Sequence, residues 1–287
     1  MAGVTHFEGR DGLRLAADVT GPDDGTPVLL LHGGGQTRHS WSATAGVLAG
    51  KGWKAVSLDL RGHSDSEWDA DGDYTMNAFA ADIALVARSL GHPALVGASL
   101  GGICSMVAIA DAGGGTEIAS SLTLVDVANR IEASGRERIG EFMTAAPDGF
   151  ATLDEAADAI AAYNPHRPRP KDLSGLQKNL RQREDGRWVW HWDPAFVRGR
   201  WGSPDETRSS LVDPGRLDRA AAALTLPTLL VRGRSSDLLS EAGAKAFLDT
   251  VPHARFADVA GAGHMVAGDR NDVFNQAILE FLDDNRP

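Results

Sequence analysis

The chain has 287 residues, of which 43% are hydrophobic and 23% are charged, and its formal net charge is -11 at pH 7. A chain of this length and composition can bury one sizeable core plus an insertion. The negative balance argues against nucleic acid or an anionic membrane as a partner. The single cysteine, Cys104, excludes an internal disulfide.

Apolar runs are too short to span a bilayer, and the start of the chain has no basic segment followed by an apolar one, so we expect a cytoplasmic protein. From residue 28 onward strands alternate with helical stretches, which predicts a mostly parallel sheet. No cysteine and histidine cluster has metal-ligand spacing. We therefore expect a small-molecule substrate and no metal or cofactor, with a homodimer left open.

A buried strand at residues 28–31 runs directly into the glycine-rich turn 32–35, His-Gly-Gly-Gly. Backbone N–H groups exposed by such a turn can point at a developing oxyanion. We predict that the amide of Gly34 is one donor of an oxyanion hole. The next strand, at 55–60, leaves through the polar turn 61–66, which we interpret as structural.

Residues 97–101, Gly-Ala-Ser-Leu-Gly, lie between an apolar strand at 94–96 and an apolar helix at 103–110. This context predicts a nucleophile elbow, a tight strand-to-helix turn that exposes the hydroxyl of Ser99 over the sheet edge. Glycine is needed two residues before and after the serine because a side chain there would collide with the neighbouring strand or helix. We predict that the amide of Leu100 is the second oxyanion donor.

A glycine-rich loop with His264 follows a short strand at residues 255–259 near the C-terminus. A histidine on a loop after the last strand can reach over the sheet edge to the serine, which is the geometry that a general base needs. We predict that His264 is this base.

Residues 128–221 differ in sequence pattern from the segments before and after them. We predict that they form a helical cap on a core made of residues 1–127 and 222–287. Trp188, Trp190 and Trp192 alternate with other residues, which places them on one side of an extended piece. They either attach the cap to the core or, for Trp188 and Trp190, line an apolar substrate pocket. Arginines of the same segment are candidate ligands for a substrate carboxylate: Arg130, Arg181 and Arg183.

Together these motifs resemble the α/β-hydrolase superfamily, in its branch of epoxide-hydrolase-like, small-ester and C–C bond hydrolases with a single helical cap. The resemblance is carried by residues 32–34, 59–64, 97–102 and 263–264. It implies an α/β-hydrolase fold, with a mostly parallel sheet flanked by helices and a cap inserted after the sixth strand. Epoxide hydrolases and haloalkane dehalogenases of this branch have an aspartate nucleophile, whereas this chain has Ser99, so the resemblance implies acyl-enzyme chemistry.

Two aspartates follow strands at places where members of the family carry the triad acid. Asp126 ends the strand at 122–125, and Asp237 follows the strand at 229–233. Most members have glycine, two residues and then the acid after that later strand, and counting from Gly233 this slot falls on Ser236. Asp237 is one residue late, so its side chain faces another way unless the turn contains a bulge. Asp126 is the preferred acid and Asp237 the alternative.

The expected function is a serine hydrolase that cleaves a carboxylic ester or lactone with an apolar moiety. Two alternatives stay open. A C–C bond hydrolase of ring-cleavage diketones would use the same triad, and a ligand-binding or receptor-like protein can be built on a hydrolase scaffold.

Overall fold

The computed structural model of the protein describes residues 3–164, 169, 171–201, 213–260, 263 and 271–287. Within them an eight-stranded sheet has the order β1-β2-β4-β3-β5-β6-β9-β10. Strands β1, β2 and β4 pair antiparallel in that order, and the remaining pairs are parallel. These strands are β1 (Thr5–Glu8), β2 (Arg14–Thr20), β3 (Thr26–Leu31), β4 (Trp53–Leu58), β5 (Ala94–Ala98), β6 (Ser121–Val125), β9 (Thr228–Gly233) and β10 (Arg255–Val259).

Alternating residues of the central strands pack on opposite faces of the sheet, as the two-residue period of a strand requires. In β3, Leu29 and Leu31 belong to one buried cluster and Val28 and Leu30 to the other. Because both faces are covered, the strand is a continuous apolar run. Helices α2 (Met76–Ser89), α3 (Leu100–Asp111), α7 (Pro214–Ala223) and α8 (Glu241–Thr250) cover the first face, and α1 (Ser42–Ala49) and α9 (Asn271–Asp284) cover the second.

The register of the parallel strands brings the chain segments that follow them to one edge. Leu31 lies beside Gly97, and Val125 lies beside both Ala98 and Val231. The residues directly after β3, β5, β6 and β9 therefore leave the sheet side by side. In open α/β sheets this carboxyl edge is where ligands bind.

An insertion between β6 and β9 holds α4 (Ala133–Thr144), α5 (Leu153–Tyr163), a hairpin of β7 (Leu180–Gln182) and β8 (Trp188–Trp190), and α6 (Pro194–Trp201). Short 3₁₀ turns occur at Arg10–Gly12, Arg38–Trp41 and Ser174–Lys178. Helix α7 begins within the predicted cap of residues 128–221, yet it packs against α3, and Leu217 and Ala221 join the main core cluster.

The α/β-hydrolase fold predicted from the sequence is confirmed by this architecture. No helix in the part of the chain that the structure describes has the length and apolar character needed to cross a bilayer.

Candidate active site

Ser99 occupies the one-residue junction between β5 and α3, with φ 46° and ψ -113°. This backbone conformation is rare for a residue with a side chain, and such outliers cluster at functional sites. The flanking glycines have a steric reason. A Cβ added to Gly97 would lie 2.5 Å from Gly102 N, and one added to Gly101 would lie 2.6 Å from Leu31 O. The turn can form only where these side chains are absent, as the sequence pattern predicts.

The glycine-rich turn after β3 lies directly against the elbow. A Cβ added to Gly33 would be 3.3 Å from Ser99 Cβ, and one added to Gly34 would be 3.8 Å from Leu100 Cδ2. The amide of Gly33 donates to Gln36 Oε1 at 3.0 Å, and the amide of Gly35 donates to His63 Nε2 at 3.1 Å. Among the described residues, the amide of Gly34 between them donates to no protein group.

At the start of α3, too, an amide without an acceptor in the described part of the chain lies between two amides that have one. The amide of Ser99 donates to Val125 O at 3.2 Å, and the amide of Gly101 donates to His32 O at 3.2 Å. Within the residues that the structure describes, the amide of Leu100 has no acceptor. Unpaired N–H groups at a helix N-terminus favour a negatively charged ligand atom. Gly34 and Leu100 are therefore two amides of this edge that have no acceptor among the described residues.

Two buried histidines, His32 within the glycine-rich turn and His63 beside it, form hydrogen bonds that hold the turn in place. His32 Nδ1 lies 2.7 Å from Gly33 O, and His32 Nε2 accepts from Leu60 N at 3.0 Å. His63 has the same arrangement, with Nδ1 2.9 Å from Arg61 O. Each ring therefore donates through Nδ1 and accepts through Nε2, which is a neutral imidazole. Burial lowers the pKa of His32, and this agrees with the neutral form.

Asp126 follows β6 directly and is fully buried, with φ 53°. Its Oδ1 accepts from Gly233 N at 2.9 Å and its Oδ2 accepts from Ser236 Oγ at 2.6 Å. The pairing of Ala98 with Val125 places the segments that carry Ser99 and Asp126 next to each other at the sheet edge.

Asp237 has a different environment. Its Oδ2 lies 2.5 Å from Arg138 Nη1 on α4, and its side chain is 40% exposed. The residue at the slot counted from Gly233 is Ser236, whose hydroxyl contacts the carboxylate of Asp126. The two candidate acids therefore differ in burial and in partner. Asp126 lies buried at the carboxyl edge of the sheet, and Asp237 forms an exposed ion pair with the insertion.

His264, the predicted base, lies outside the described residues. The strand before it, β10, ends with Val259 beside Gly233, at the same edge of the sheet. Its role therefore stays a prediction. Among the described residues no group of three or more histidine, cysteine or carboxylate side chains is arranged to hold a metal ion.

Aromatic side chains of the insertion border the glycine-rich turn. Trp190 and Trp192 stack with ring centroids 4.9 Å apart. A Cβ added to Gly35 would lie 3.1 Å from Trp192 Cζ3 and 3.1 Å from Met143 Cε. Trp188, a candidate pocket residue together with Trp190, pairs through its backbone with Phe150, and both tryptophans pack against a small buried cluster of the insertion.

Phe196 of α6 is a neighbour of the turn that the sequence analysis missed. Its Cζ would be 3.4 Å from a Cβ added to Gly34, and its ring packs edge-on against His63. Helix α6 is anchored to the core because Tyr74 Oη donates to Asp193 Oδ2 at 2.5 Å, and Asp193 N donates to Gly62 O at 2.8 Å. Burial and this carboxylate raise the pKa of Tyr74, so the phenol stays a donor.

The three arginines considered for a substrate carboxylate have partners on the protein. Arg130 Nε lies 3.7 Å from Asp218 Oδ1 on α7, Arg183 pairs with Asp185 in the β7–β8 hairpin, and Arg181 contacts a histidine of the insertion. All three side chains are exposed. No described contact connects them to Ser99.

The sheet and the elbow at Ser99 are typical of α/β hydrolases. Comparison with known proteins gives the same family. The model of the alpha/beta hydrolase family matches residues 28–277, so the chain belongs to that family, as predicted. It is similar to the esterase Rv0045c of Mycobacterium tuberculosis, with 29% identity over 268 residues that cover 89% of this chain and 82% of that protein. It is also similar to the 2-(acetamidomethylene)succinate hydrolase of Mesorhizobium japonicum, with 27% identity over 282 residues that cover 97% and 96% of the two chains.

A solved structure of E-2-(acetamidomethylene)succinate hydrolase has a TM-score of 0.83 at 24% identity and covers 98% of this chain and 99% of that chain. This likeness shows the fold. The family and the esterase relative support hydrolase activity.

Proposed function

We propose that the protein is a serine hydrolase that cleaves a carboxylic ester or lactone with an apolar moiety through an acyl-enzyme. The observation that carries this proposal is the pair of uncommitted amides, those of Gly34 and Leu100, beside the strained Ser99. The amides immediately before and after each of them have acceptors among the described residues, so these two donors are available to an oxygen atom that the protein itself does not supply.

The proposed reaction uses these groups together with the predicted base, His264. Ser99 Oγ attacks the acyl carbon while His264 takes its proton, and Asp126 holds the imidazole in the tautomer that can accept it. The carbonyl oxygen becomes an oxyanion that accepts from the amides of Gly34 and Leu100. His264 then protonates the departing alkoxide. Water, deprotonated by the same histidine, attacks the acyl-enzyme and releases the carboxylic acid and free Ser99.

We infer that the substrate has an apolar moiety from the side chains that lie against the glycine-rich turn. Phe196 lies against Gly34, and Trp192 and Met143 lie against Gly35. Apolar and aromatic walls with a few polar groups are typical of sites for small organic molecules. The similarity to a mycobacterial esterase supports an ester as the substrate class. A cytoplasmic location and a small-molecule substrate belong to the same proposal.

The test is hydrolysis of p-nitrophenyl esters, from acetate to hexanoate, by the purified protein and two serine variants. We expect Ser99→Ala to lower kcat by about 10⁴-fold or more, and Ser235→Ala, an exposed serine outside the site, to keep wild-type turnover. A fluorophosphonate should label the wild type once, and mass spectrometry should locate the label on the peptide with Ser99.

Two outcomes would replace the proposal. Turnover of a ring-cleavage diketone but of no ester or lactone would favour the C–C bond hydrolase. Saturable binding of small esters, with neither turnover nor labelling, would favour the receptor-like alternative.

A further inference from the structure

The turn between β9 and α8, residues 234–240, contacts the predicted triad acid. Ser236 Oγ donates to Asp126 Oδ2 at 2.6 Å, and it accepts from the amides of Leu238 and Leu239, each at 3.1 Å. A hydroxyl has one proton and two lone pairs. Because both amides point at the oxygen, the proton is directed to the carboxylate. Ser236 is therefore held as a donor to Asp126.

This contact restricts the rotation of the carboxylate. The terminal torsion of an aspartate is broad and is not fixed by its own rotamer preference. Here Gly233 N fixes Oδ1 and Ser236 Oγ fixes Oδ2, so one donor at the end of β9 and one in the turn hold the plane of the Asp126 carboxylate. A carboxylate has about four lone-pair sites, so it can accept from an imidazole N–H in addition to these two donors. The direction from which that N–H must approach depends on Ser236.

The other side of the same turn contacts α4 of the insertion. Glu132 N, at the start of α4, donates to Leu238 O at 3.0 Å, and Arg138 pairs with Asp237 at 2.5 Å. The helix backbone itself touches the turn, because a Cβ added to Gly135 would lie 2.4 Å from Asp237 O. The turn that carries Ser236 is thus packed between Asp126 and the insertion.

We propose that Ser236 is a positioning residue that orients the carboxylate of Asp126 toward His264, and that α4 holds Ser236 in place. This inference rests on the proposed function and deepens it. A position of the insertion, remote from Ser99 in sequence, then affects the chemical step through the turn.

The first test compares three variants at neighbouring serines. We expect Ser236→Ala to lower kcat for a p-nitrophenyl ester by about 10-fold to 100-fold with a change in KM under about 3-fold, because the misplaced carboxylate affects the chemical step and not substrate binding. Ser236→Thr retains the hydroxyl and should restore kcat to within about 3-fold of wild type. Ser235→Ala is the matched control, since Ser235 is exposed, and its kcat should equal that of the wild type.

The second test moves the turn without changing a polar group. Gly135→Ala places a methyl group against Asp237 O, whereas a Cβ added to Gly46 of α1 meets nothing within 4 Å. Both substitutions favour the helix equally. We expect Gly135→Ala to lower kcat by about 5-fold or more in the wild type but by less than about 2-fold when Ser236 is already alanine, since both changes act on one contact. Gly46→Ala should have no effect in either background.

The outcomes separate this inference from the proposed function. If Ser99→Ala is inactive while Ser236→Ala turns over at the wild-type rate, the inference is wrong and the function stands. If Gly135→Ala and Ser236→Ala lower kcat independently, or if Ser236→Thr is as slow as Ser236→Ala, the positioning role is overturned. Retained turnover in Ser99→Ala would overturn both. Thermal unfolding of each variant identifies any loss that comes from misfolding, and Ser236→Thr keeps the test decisive in that case.

Discussion

Replacing Asp126 by asparagine tests the assignment of the triad acid. Both oxygens of the carboxylate accept hydrogen bonds, Oδ1 from Gly233 N and Oδ2 from Ser236 Oγ. An asparagine offers one oxygen acceptor, so its NH₂ group must face one of these donors. The amide of Gly233 cannot rotate, which leaves the NH₂ facing Ser236 Oγ, whose lone pairs already accept from Leu238 and Leu239.

This mismatch gives the expected magnitudes. One buried donor loses its acceptor, which costs about 1–3 kcal/mol of unfolding free energy. The loss in catalysis is larger, because an amide favours the wrong tautomer of His264, and kcat should fall by about 10³-fold to 10⁴-fold, or roughly 4–5.5 kcal/mol. The Asp237→Asn variant breaks an ion pair whose side chains are 40% and 44% exposed. Such a pair is worth at most about 1 kcal/mol, and kcat should fall by less than about 5-fold.

The assay is steady-state hydrolysis of a p-nitrophenyl ester together with urea unfolding of the same preparations. Fluorophosphonate labelling rates report the nucleophilicity of Ser99 without product release. The reasoning fails if Asp237→Asn loses 10³-fold while Asp126→Asn loses less than tenfold. In that case the turn contains the bulge that would bring Asp237 to the histidine.

Three further predictions concern the base, a buried histidine and the elbow. His264→Ala should suppress fluorophosphonate labelling of Ser99, and equal labelling rates in both proteins would contradict the assigned base. Because burial lowers the pKa of His32 below its usual 6.5, the unfolded chain binds a proton that the folded chain does not. The unfolding free energy should therefore decrease as the pH falls below about 6.5, and His32→Gln should remove part of that slope in urea titrations; an unchanged slope would exclude His32 as its source. Gly101→Ala should destabilise the fold by about 3 kcal/mol or more, because its Cβ would lie 2.6 Å from a backbone oxygen of β3, whereas Gly46→Ala should stay within about 1 kcal/mol; similar melting temperatures would refute the steric account.

The sequence predicts the parts of the site that depend on local backbone sterics. Gly97 and Gly101 mark the elbow because their spacing reflects collisions with atoms a few residues away or on the adjacent strand. The glycine-rich turn at residues 32–35 is predicted because glycines at the end of a strand expose backbone N–H groups. The mostly parallel sheet is predicted from the alternation of strands and helices along the chain.

Contacts between distant segments could not be predicted in this way. Phe196 lies against Gly34 because α6 is anchored by Tyr74 and Asp193, and no periodicity relates these positions. The contact of Ser236 with Asp126 is another example. Counting residues identifies the slot that Ser236 occupies, but the direction of its hydroxyl depends on the amides that fix it.

The backbone conformations of Ser99 and Asp126 have a consequence for how this chain can change. Each has a positive φ, 46° and 53°, at the end of one of two adjacent strands. Residues with side chains are held in such conformations at about 1–3 kcal/mol each, and the rest of the fold must compensate. Glycine at position 99 would relieve that strain, whereas a change at position 126 would also remove an acceptor from Gly233 N or Ser236 Oγ. Selection for heat resistance alone would therefore favour glycine at position 99, and under the proposed function serine persists there because turnover requires its hydroxyl.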